Sequence, residues 1–496
     1  MKRILPPVHS LPLFGVAATR EIETQAAATL PPYTLMRRAG HAVARLALAL
    51  APHASRVWVA AGPGNNGGDG LEAAIHLKAA GKQVIVTLHG DSARFPDDAK
   101  AAFARAQAAG VMLGEAPELR AGDIAIDALL GIGASRAPDA LVADTITRLN
   151  ALPCDVLAVD LPSGLNAGTG QPFGEHCARA RHTLALLALK PGLFTAAGRD
   201  HAGCVWLDDL QVDASGTAPD AWLVGADAAA RPQRDHAQHK GSFGDVAVVG
   251  GAPSMGGAVL LAARAALAAG AGRVYVSPLD ADARALDPQR PELMFRGELW
   301  KSDDATLARL TVVCGCGGGD ALRPALPRLL SAAGRLVLDA DALNTIAADT
   351  VLQSLLRSRA ARLRLTVLTP HPLEAARLLG LGTAQVQADR LAAAQALADR
   401  FQCVVLLKGS GSVIAAPAST LAINSTGNAA LATAGTGDVL AGWLGGLWAQ
   451  QAVPTTQDAA AQIACAAAFI HGSAADRAGT PVLLAADLIA ALQAAR

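Results

Sequence analysis

The sequence predicts an α/β fold divided into two domains, and three observations lead to this prediction. Short apolar segments alternate with helical stretches in both halves, as in parallel sheets covered on both faces. The length of 496 residues exceeds one ordinary domain. A polar segment without periodicity at residues 231–239 separates the halves. We therefore place the boundary near residue 225 and expect domains at 1–225 and 226–496.

The apolar segments are predicted as buried strands, and their order sets where a ligand would bind. The strands predicted in the first half are residues 57–61, 84–88, 124–129, 156–160 and 184–189. Those predicted in the second half are residues 246–249, 274–276, 336–339, 365–368 and 404–407. Ligands of open parallel sheets bind beyond the carboxyl ends of the strands. The residues that follow these segments are therefore the candidate site residues.

Charge and cysteine content exclude several classes of partner. The chain has 42 basic and 42 acidic side chains, so no overall field draws it to nucleic acid or to an anionic membrane. No segment reaches the roughly 20 apolar residues of a membrane helix, and we expect no signal peptide at the amino terminus. The seven cysteines show no CxxC pair and no zinc-site spacing. A reduced, cytoplasmic location is predicted.

The first glycine-rich motif, residues 62–70, follows predicted strand 57–61 and precedes a helix predicted over 71–80. It reads Gly-Pro-Gly-Asn-Asn-Gly-Gly-Asp-Gly. A tight turn is the structural alternative, but two asparagines and an aspartate supply more polar groups than a turn uses. The spacing differs from both the dinucleotide fingerprint and the P-loop. A standard dehydrogenase or ATPase is therefore not indicated.

Two more strand ends in the first half carry carboxylates. Asp127 ends one predicted strand, and Asp160 precedes Leu-Pro-Ser-Gly at the end of the next. Either carboxylate alone is equally compatible with capping the following helix. Together with the motif at 62–70, they are predicted to form one site.

These three motifs resemble, in order, those of the NAD(P)H-hydrate epimerase family, over roughly residues 15–215. The resemblance implies a Rossmann-like, three-layer αβα domain in which Asp160 is the catalytic acid/base group. It implies a potassium ion held by Asn66, Asp127 and Ser163, whose hard oxygen ligands suit a hard cation. The residues implied to bind the hydrated dinucleotide are Asn65, Asn66, Gly67, Gly68, Asp69, Gly131, Ile132, Gly133, Ala134, Ser135, Arg136, Ala137 and Asp160.

The implied chemistry needs one proton-transfer group. A hydrated nicotinamide has a hydroxyl on the ring carbon next to nitrogen, and the nitrogen lone pair can expel it once a proton is delivered. Water then returns to either face of the ring, which interconverts the two epimers. Asp160 is the hypothetical proton shuttle, an effect typically worth about 10²- to 10⁴-fold.

The second half has its own phosphate-type motifs, at the ends of predicted strands, before the first of them and at a helix start. They are Lys-Gly-Ser-Phe-Gly-Asp at 240–245, a glycine-rich run at 250–258, Thr-Pro-His-Pro at 369–372, Lys-Gly-Ser-Gly-Ser at 408–412 and Gly-Thr-Gly-Asp at 435–438. Loop and helix N–H groups can stabilise a transferring phosphoryl group, while Asp438 accepts the proton of an attacking hydroxyl. The structural alternatives are a plain helix cap at Asp438 and a turn residue at His371.

These motifs, with Asp-Ala-Asp-Ala-Leu-Asn at 339–344, resemble the ribokinase-like ADP-dependent NAD(P)H-hydrate dehydratases over about residues 230–490. The resemblance implies a ribokinase-like αβα domain with Asp438 as the catalytic residue. The residues implied to contact the hydrated dinucleotide are Ala258, Gly317, His371 and Asp438. Those implied to contact ADP or AMP are Lys408, Gly409, Ser410, Gly411, Ser412 and Gly437. Magnesium is expected to bridge the ADP phosphates.

Four positions in three motifs depart from the family pattern. Gly-Pro-Gly-Leu-Gly appears here with Cys316 and Gly318 in place of proline and leucine, so a more flexible loop is expected. Leu373 replaces a glycine, which leaves the course of that loop open. Ser412 replaces a threonine and keeps the hydroxyl.

The combined prediction is a bifunctional repair enzyme. It would epimerise the R and S hydrates of NADH and NADPH (NADHX and NADPHX) and dehydrate the S form with ADP, releasing AMP and phosphate. Its partners would be these small-molecule nucleotides, and a homo-oligomer is expected. The first alternative is a vitamin or sugar kinase that uses ATP. The second is a noncatalytic scaffold, for instance one that binds RNA. The chain has only two tyrosines and nine phenylalanines, which is little aromatic surface for stacking nucleic acid bases and argues against this alternative.

Overall fold

The structure, a computed structural model, describes residues 1–229, 234–451 and 456–494. These residues form two compact units. One comprises residues 1–6 and 12–221, and the other comprises residues 7–11 and the chain from 222 onward. Residues 231–233 of the polar segment that places the predicted boundary lie outside the described residues. The prediction of two α/β domains is confirmed.

The described residues form 19 strands and 17 α-helices. The strands are β1 (Lys2–Arg3), β2 (Leu11–Leu13), β3 (Arg56–Ala61), β4 (Gln83–Leu88), β5 (Met112–Leu113), β6 (Ile124–Ala128), β7 (Asp155–Val159), β8 (His182–Leu186), β9 (Cys204–Asp208), β10 (Ala221–Leu223), β11 (Asp245–Gly250), β12 (Arg273–Pro278), β13 (Met294–Phe295), β14 (Thr311–Cys314), β15 (Arg335–Leu338), β16 (Leu365–Leu368), β17 (Val404–Leu407), β18 (Ser412–Ala415) and β19 (Leu421–Asn424). The helices are α1 (Val16–Ala27), α2 (Thr34–Leu50), α3 (Asn65–Ala79), α4 (Asp97–Ala108), α5 (Ala140–Asn150), α6 (Gly198–His201), α7 (Gly256–Ala269), α8 (Asp304–Arg309), α9 (Leu326–Ala332), α10 (Ala340–Ala347), α11 (Thr350–Ala361), α12 (Pro372–Leu379), α13 (Thr383–Ala388), α14 (Arg390–Phe401), α15 (Thr436–Ala449), α16 (Gln457–Ala478) and α17 (Ala485–Ala494). None of the described helices is both long enough and apolar enough to cross a membrane.

The first sheet has eight strands in the order β1-β9-β8-β7-β6-β3-β4-β5. Its strands from β9 to β5 are parallel to their neighbours, and β1 pairs antiparallel with β9 at one edge. Because β3, β6 and β7 are adjacent and parallel, the residues after them meet at one edge of the sheet. These are the residues of the three motifs in the first half.

The second sheet has 11 strands in the order β13-β12-β11-β14-β15-β16-β17-β18-β19-β10-β2. Strands β13 to β17 are parallel, whereas β17, β18 and β19 pair antiparallel. The carboxyl ends of β14 to β17 therefore lie side by side. They carry the motifs at 339–344, 369–372 and 408–412.

Both sheets are covered on both faces, which explains their continuously apolar strands. Along β11, Val246 and Val248 face one core, and Ala247 and Val249 face the other. The first of these cores also contains residues of α7, α15, α16 and α17, and the second contains residues of α8 to α14. In the first unit, successive side chains of β3 alternate in the same way: one set packs in a core with residues of α1 to α4, and the other packs in a core with residues of α5. Each unit is a three-layer αβα sandwich.

Helix α3 begins at Asn65, six residues earlier than the helix predicted over 71–80. The prediction of a loop across 62–70 is therefore wrong for residues 65–70, which form the first turns of the helix. Close packing is the cause, because a Cβ at Gly67 would lie 1.9 Å from the carbonyl oxygen of Gly62. Glycine at this position lets the helix start directly against the end of β3.

Candidate active sites

A cavity of about 440 Å³ lies in the first unit where β3, β6 and β7 end. The predicted substrate-binding residues on its wall are Asn65, Asn66, Asp69, Gly131, Ile132, Gly133, Ala134 and Asp160. The other predicted residues, Gly67, Gly68, Ser135, Arg136 and Ala137, are not among those that line it. Gly67 and Gly68 are buried in the packing of α3. Eight of the predicted residues therefore line the cavity together, and five do not.

Asp160 stands at the end of β7 in an unusual backbone conformation. Its φ of 66° lies in the left-handed region, which is uncommon outside glycine and clusters at functional sites. Its carboxylate forms an ion pair with the ammonium of Lys190 and accepts a hydrogen bond from the backbone N–H of Leu186 at 3.2 Å. Lys190 also donates to the Leu186 carbonyl at 2.8 Å, and its side chain is 1% exposed. Both ends of the ion pair are therefore fixed.

Sequence reasoning missed Lys190. Its only signal is its position directly after the predicted strand 184–189, in a Lys-Pro-Gly segment. The contact depends on the pairing of β7 with β8, which brings this segment beside Asp160.

The wall of this cavity is acidic. Glu23, Asp69, Asp98 and Asp160 line it, against the basic side chains of Arg20 and Lys190. Burial raises the pKa of Glu23, and the negative charge of Asp160 raises it further. The pKa of Asp69 is raised well above its usual value by burial and then by Asp160. This wall disfavours additional negative charge and suits a ligand that carries positive charge.

The predicted potassium ligands lie at and beneath the wall of the cavity. Asp127 is 0% exposed and accepts hydrogen bonds from the Ser163 hydroxyl at 2.5 Å and the Ser163 backbone N–H at 2.8 Å. The backbone N–H of Leu130 donates to the same hydroxyl at 2.9 Å. Burial raises the pKa of Asp127, and the groups that oppose the rise are uncharged. Among the described residues, the buried Nδ2 atom of Asn66 has no hydrogen-bond partner.

In the second unit, side chains from three strand ends and two helices converge. The Lys408 ammonium lies 2.6 Å from Asp339 Oδ1 and 4.0 Å from Glu374 Oε2. Asp438 stands in the first turn of α15. Cys316 Sγ and one carboxylate oxygen each of Asp339 and Asp438 all lie within 4.8 Å of one another. Two aspartates, a glutamate, a thiol and one lysine thus form a single cluster.

Burial sets the protonation of this cluster. It raises the pKa of Asp438 to about 6, with the charge of Asp339 as the second cause. It likewise raises the pKa of Glu374 to about 7, against the opposing charge of Lys408. Burial disfavours the Lys408 ammonium, but Asp339 and Glu374 more than offset this and hold its pKa above the usual value. A carboxylate with a pKa near 6 is suited to accept a proton at neutral pH.

His371 has a structural role in this site. It is the N-cap of α12, where its Nδ1 accepts from the backbone N–H groups of Leu373 at 3.1 Å and Glu374 at 3.3 Å. Glu374 in turn accepts from the His371 backbone N–H at 2.7 Å, which completes a capping box. Leu373 continues the helix, so no glycine is required there. A contact between His371 and substrate stays a prediction.

Two other predicted substrate contacts are neighbours in the structure. A Cβ at Gly317 would lie 2.9 Å from the Cβ of Ala258, which is in the first turn of α7. Gly437 faces the charged cluster, because a Cβ there would lie 3.5 Å from Lys408 Nζ and 4.0 Å from Asp339 Oδ2. These glycines keep the space beside Asp438 open.

The loop at 408–412 rests on a buried arginine. Arg390 donates from Nη2 to the carbonyl oxygens of Leu407 and Lys408, each at 3.2 Å, and is 1% exposed. Burial lowers its pKa to about 10, so it remains charged at neutral pH. The Ser412 hydroxyl donates to the Gly409 carbonyl at 3.2 Å. Sequence reasoning missed Arg390, since it stands at the start of α14, far from any motif.

Comparisons with known proteins cover both units. The family described as "YjeF-related protein N-terminus" matches residues 32–192, and the family described as "NAD(P)H-hydrate dehydratase" matches residues 246–493. The bifunctional NAD(P)H-hydrate repair enzyme Nnr of Escherichia coli (strain K12) is 36% identical over 488 residues, which cover 93% of this chain and 89% of that relative. The enzyme of the same name from Coxiella burnetii is 36% identical over 486 residues, 95% of this chain and 96% of that relative.

The chain belongs to the bifunctional NAD(P)H-hydrate repair enzymes. The sequence predictions of the family, of an enzyme and of nucleotide repair as its function are confirmed, and the kinase and scaffold alternatives are set aside. Among solved structures, the ADP/ATP-dependent NAD(P)H-hydrate dehydratase from Bacillus subtilis co-crystallised with ATP/Mg²⁺ is 29% identical. It covers 53% of this chain and 93% of that one, with a TM-score of 0.43.

Proposed function

We propose that the two units of this repair enzyme catalyse successive steps. The first interconverts the R and S hydrates of NADH and NADPH, and the second dehydrates the S form with ADP. The observation that supports this proposal best is the placement of Asp438. It is a carboxylate with a pKa of about 6 in the first turn of α15, beside the open space at Gly437.

In the first unit, Asp160 transfers the proton. Protonation of the ring hydroxyl lets the nitrogen lone pair expel it as water, which leaves a cationic ring. The acidic side chains of Glu23, Asp69 and Asp98 line the same cavity, and the cationic ring favours their ionised forms, which stabilise its positive charge. Lys190 holds the Asp160 carboxylate in one orientation. Water then adds to either face and returns the proton to Asp160.

Potassium is the proposed cation of the first unit, held by Asn66, Asp127 and Ser163. The donor set fits, since a buried carboxylate, a hydroxyl and the side-chain oxygen of an amide are hard oxygen ligands that suit a hard cation. A buried carboxylate that only uncharged groups contact favours a bound cation. When bound, the ion would neutralise Asp127 and, through the Ser163 hydroxyl, hold Leu130, which lines the cavity.

In the second unit, Asp438 accepts the proton of the ring hydroxyl as its oxygen attacks the β-phosphorus of ADP. The bond to the α-phosphate oxygen breaks and AMP leaves. The nitrogen lone pair then expels phosphate, and loss of a ring proton gives the dihydronicotinamide. Positioning and electrostatic stabilisation do most of the work in phosphoryl transfer.

The nucleotide is proposed to lie along residues 408–412 and Gly437. The loop rests on the Arg390 guanidinium, a permanent positive charge that favours phosphate groups nearby. Magnesium, bound with ADP, would supply charge neutralisation between the phosphates. Ala258, Gly317 and His371 are the proposed contacts to the hydrated dinucleotide.

The proposed setting is the cytoplasm, and the proposed assembly is a homo-oligomer whose ligands are small nucleotides. All seven cysteines are free thiols, as a reducing compartment requires.

Purified full-length protein tests the proposal. It is mixed with an epimeric mixture of NADH hydrate, magnesium and potassium, with or without ADP, and dihydronicotinamide absorbance and AMP are followed. We expect full recovery of absorbance with ADP, with one AMP formed per NADH. Recovery at the same rate without ADP would contradict the dehydratase mechanism.

A further inference from the structure

The two hydrate epimers set the first unit a stereochemical problem. Their hydroxyls lie on opposite faces of the same ring carbon, and departure of either one as water leaves the same flat cation. A general acid acts at hydrogen-bond distance from the atom that it protonates. A carboxyl group on one face therefore reaches one hydroxyl only, unless the ring turns over in the cavity. A cavity with a proton group on each side would serve both epimers while the ring stays in place.

Two acidic side chains of the cavity wall come from separate elements. Asp69 is on α3, which follows β3, and Asp160 directly follows β7. Strand β6 lies between β3 and β7 in the sheet. Since neighbouring strands are about 4.8 Å apart, the ends of β3 and β7 are about 10 Å apart. Both side chains line the cavity, and this spacing leaves room for a flat ring between two carboxyl groups.

Close packing of α3 holds Asp69 on the cavity wall. A Cβ at Gly68 would lie 2.7 Å from the side chain of Met36, which is on α2. A Cβ at Gly70 would lie 2.6 Å from the Cβ of Ala128, which is on β6. The two glycines let α3 pack against α2 and against the sheet on either side of Asp69. The helix therefore fixes the direction from which this carboxyl group reaches a ligand.

The surroundings of the two carboxyl groups differ in charge. Asp160 has the Lys190 ammonium as its ion-pair partner. Asp69 has no ion-pair partner among the described residues, and burial raises its pKa well above the usual value, with the charge of Asp160 as the second cause. Three further carboxyl groups raise it in the same direction: Glu23, Glu72 and Asp98. Asp69 is therefore favoured as a proton donor, while Asp160 has a cation beside it. Paired groups in such different environments are typical of acid/base pairs.

We propose that Asp69 is a second catalytic acid/base group of the first unit, which serves the hydroxyl on one face of the ring while Asp160 serves the hydroxyl on the other. This inference rests on the proposed epimerase function and adds a residue to it. In one direction, Asp69 gives its proton to the hydroxyl, and the C–O bond breaks as the nitrogen lone pair expels water. A second water adds to the opposite face and gives a proton to the Asp160 carboxylate.

The reverse direction uses the same two groups in exchanged roles. The protonated Asp160 gives its proton to the hydroxyl on its own face, and the water that adds on the other face returns a proton to Asp69. One proton enters and one leaves the ring in each passage. Proton exchange with solvent resets the pair between passages in the same direction.

Exchange of the hydroxyl oxygen with ¹⁸O-labelled water tests the two faces separately. Each pure epimer of NADH hydrate is mixed with the full-length protein without ADP, and ¹⁸O in the recovered R and S hydrates is measured by chromatography and mass spectrometry. For Asp69→Asn, one epimer should exchange its oxygen with retention at nearly the wild-type rate. Exchange of the other epimer, and inversion of both, should fall about 10²- to 10⁴-fold, down to the rate without protein. Asp160→Asn should spare the opposite epimer.

Three further variants separate proton transfer from charge. Glu23→Gln and Asp98→Asn change acidic groups of the same wall, and each should slow exchange of both epimers by a similar factor, because a charge stabilises the shared cation whichever hydroxyl has left. Asp144→Asn, at an exposed position of α5, is the matched control and should leave every rate unchanged. The epimer that still exchanges in Asp69→Asn shows that the first unit of this variant is folded.

The outcomes distinguish this inference from the proposed function. If the wild type does not interconvert the epimers, the proposed function fails. If the wild type is active and Asp69→Asn changes the exchange of both epimers alike, or of neither, only the role of Asp69 fails. Loss of exchange from both epimers in Asp160→Asn would also overturn it, since one acid would then serve both hydroxyls of a ring that turns over.

Discussion

Asp438 is the residue at which stability and activity oppose each other. Its folded pKa of about 6 exceeds the ordinary value of 3.8, so the fold favours the protonated form. The resulting stabilisation is complete below the unfolded pKa and is lost as pH rises through the folded value. Above about pH 7, the ionised carboxylate therefore costs stability, by about 1–3 kcal/mol. The proposed chemistry needs this ionised form.

Asp438→Asn should accordingly lose activity and gain stability. We expect dehydratase turnover to fall about 10²- to 10⁴-fold. The variant should unfold at higher denaturant concentration than the wild type at pH 8, and the difference should shrink below pH 6. Asp487→Asn, at an exposed aspartate in the first turn of α17, is the control and should change neither quantity. Equal stability of Asp438→Asn and wild type at pH 8 would refute the raised pKa.

Lys190 is expected to stabilise the first unit through Asp160. Removing one partner of a buried ion pair leaves the other charge uncompensated and typically costs about 3–5 kcal/mol. Lys190→Met should therefore destabilise the first unit strongly, as measured by denaturant unfolding. The double variant Lys190→Met/Asp160→Asn should be more stable than Lys190→Met alone, because no buried charge remains. Additive losses in the double variant would show that the two side chains are not coupled.

At the scale of single elements, the start of α3 depends on close packing. The Gly62 carbonyl fills the space that a Cβ at Gly67 would need. Gly67→Ala should therefore shift the start of α3 and destabilise the first unit by about 1–3 kcal/mol, with loss of epimerase activity. At Gly133, a Cβ meets nothing within 4 Å, and Gly133→Ala is the matched control for stability. Thermal unfolding of both variants checks this, and equal losses would contradict the packing argument.

The central strands were predictable, and some others were not. The ten predicted strands are present with ends shifted by at most three residues, because parallel strands buried on both faces leave a continuous apolar run. Strand β14 was not predicted. Its four residues follow α8 with no glycine or proline between them, so the sequence shows no break in pattern. The start of α3 was misplaced because its glycines are typical of a loop.

Contacts between elements that are distant in sequence explain which site residues could be predicted and which could not. Asp127 and Asp160, at strand ends, were predicted as site residues from local sequence and the rule for parallel sheets, and Asp438 was predicted from its motif at a helix start. Lys190 and Arg390 were not, because each reaches its site only through the pairing or packing of elements distant in sequence. Cys316 and Asp438 likewise belong to distant segments, which the fold brings into one cluster. The sequence showed only that the residue type of Cys316 departs from the family.

Joining the two activities in one chain predicts the shape of a reaction progress curve. A phosphoryl-transfer site that aligns one stereocentre with ADP excludes the opposite epimer. With the wild type and ADP, an epimeric mixture of hydrates should therefore convert completely in one phase. With Asp160→Asn, the S share should convert at the normal rate, and the R share should follow only as fast as uncatalysed epimerisation allows. With Asp438→Asn, almost none should convert.

The amplitude of the first phase in Asp160→Asn is the decisive quantity. It should equal the S fraction of the starting mixture, measured separately by chromatography, and should rise when S hydrate is supplied alone. Adding the Asp438→Asn variant, whose first unit is intact, should restore a single complete phase, because each variant supplies the activity that the other lacks. A single complete phase with Asp160→Asn alone would show that Asp160 is dispensable for epimerisation or that the second unit accepts both epimers. Pure R hydrate separates these outcomes, since only the first requires S hydrate to appear before NADH.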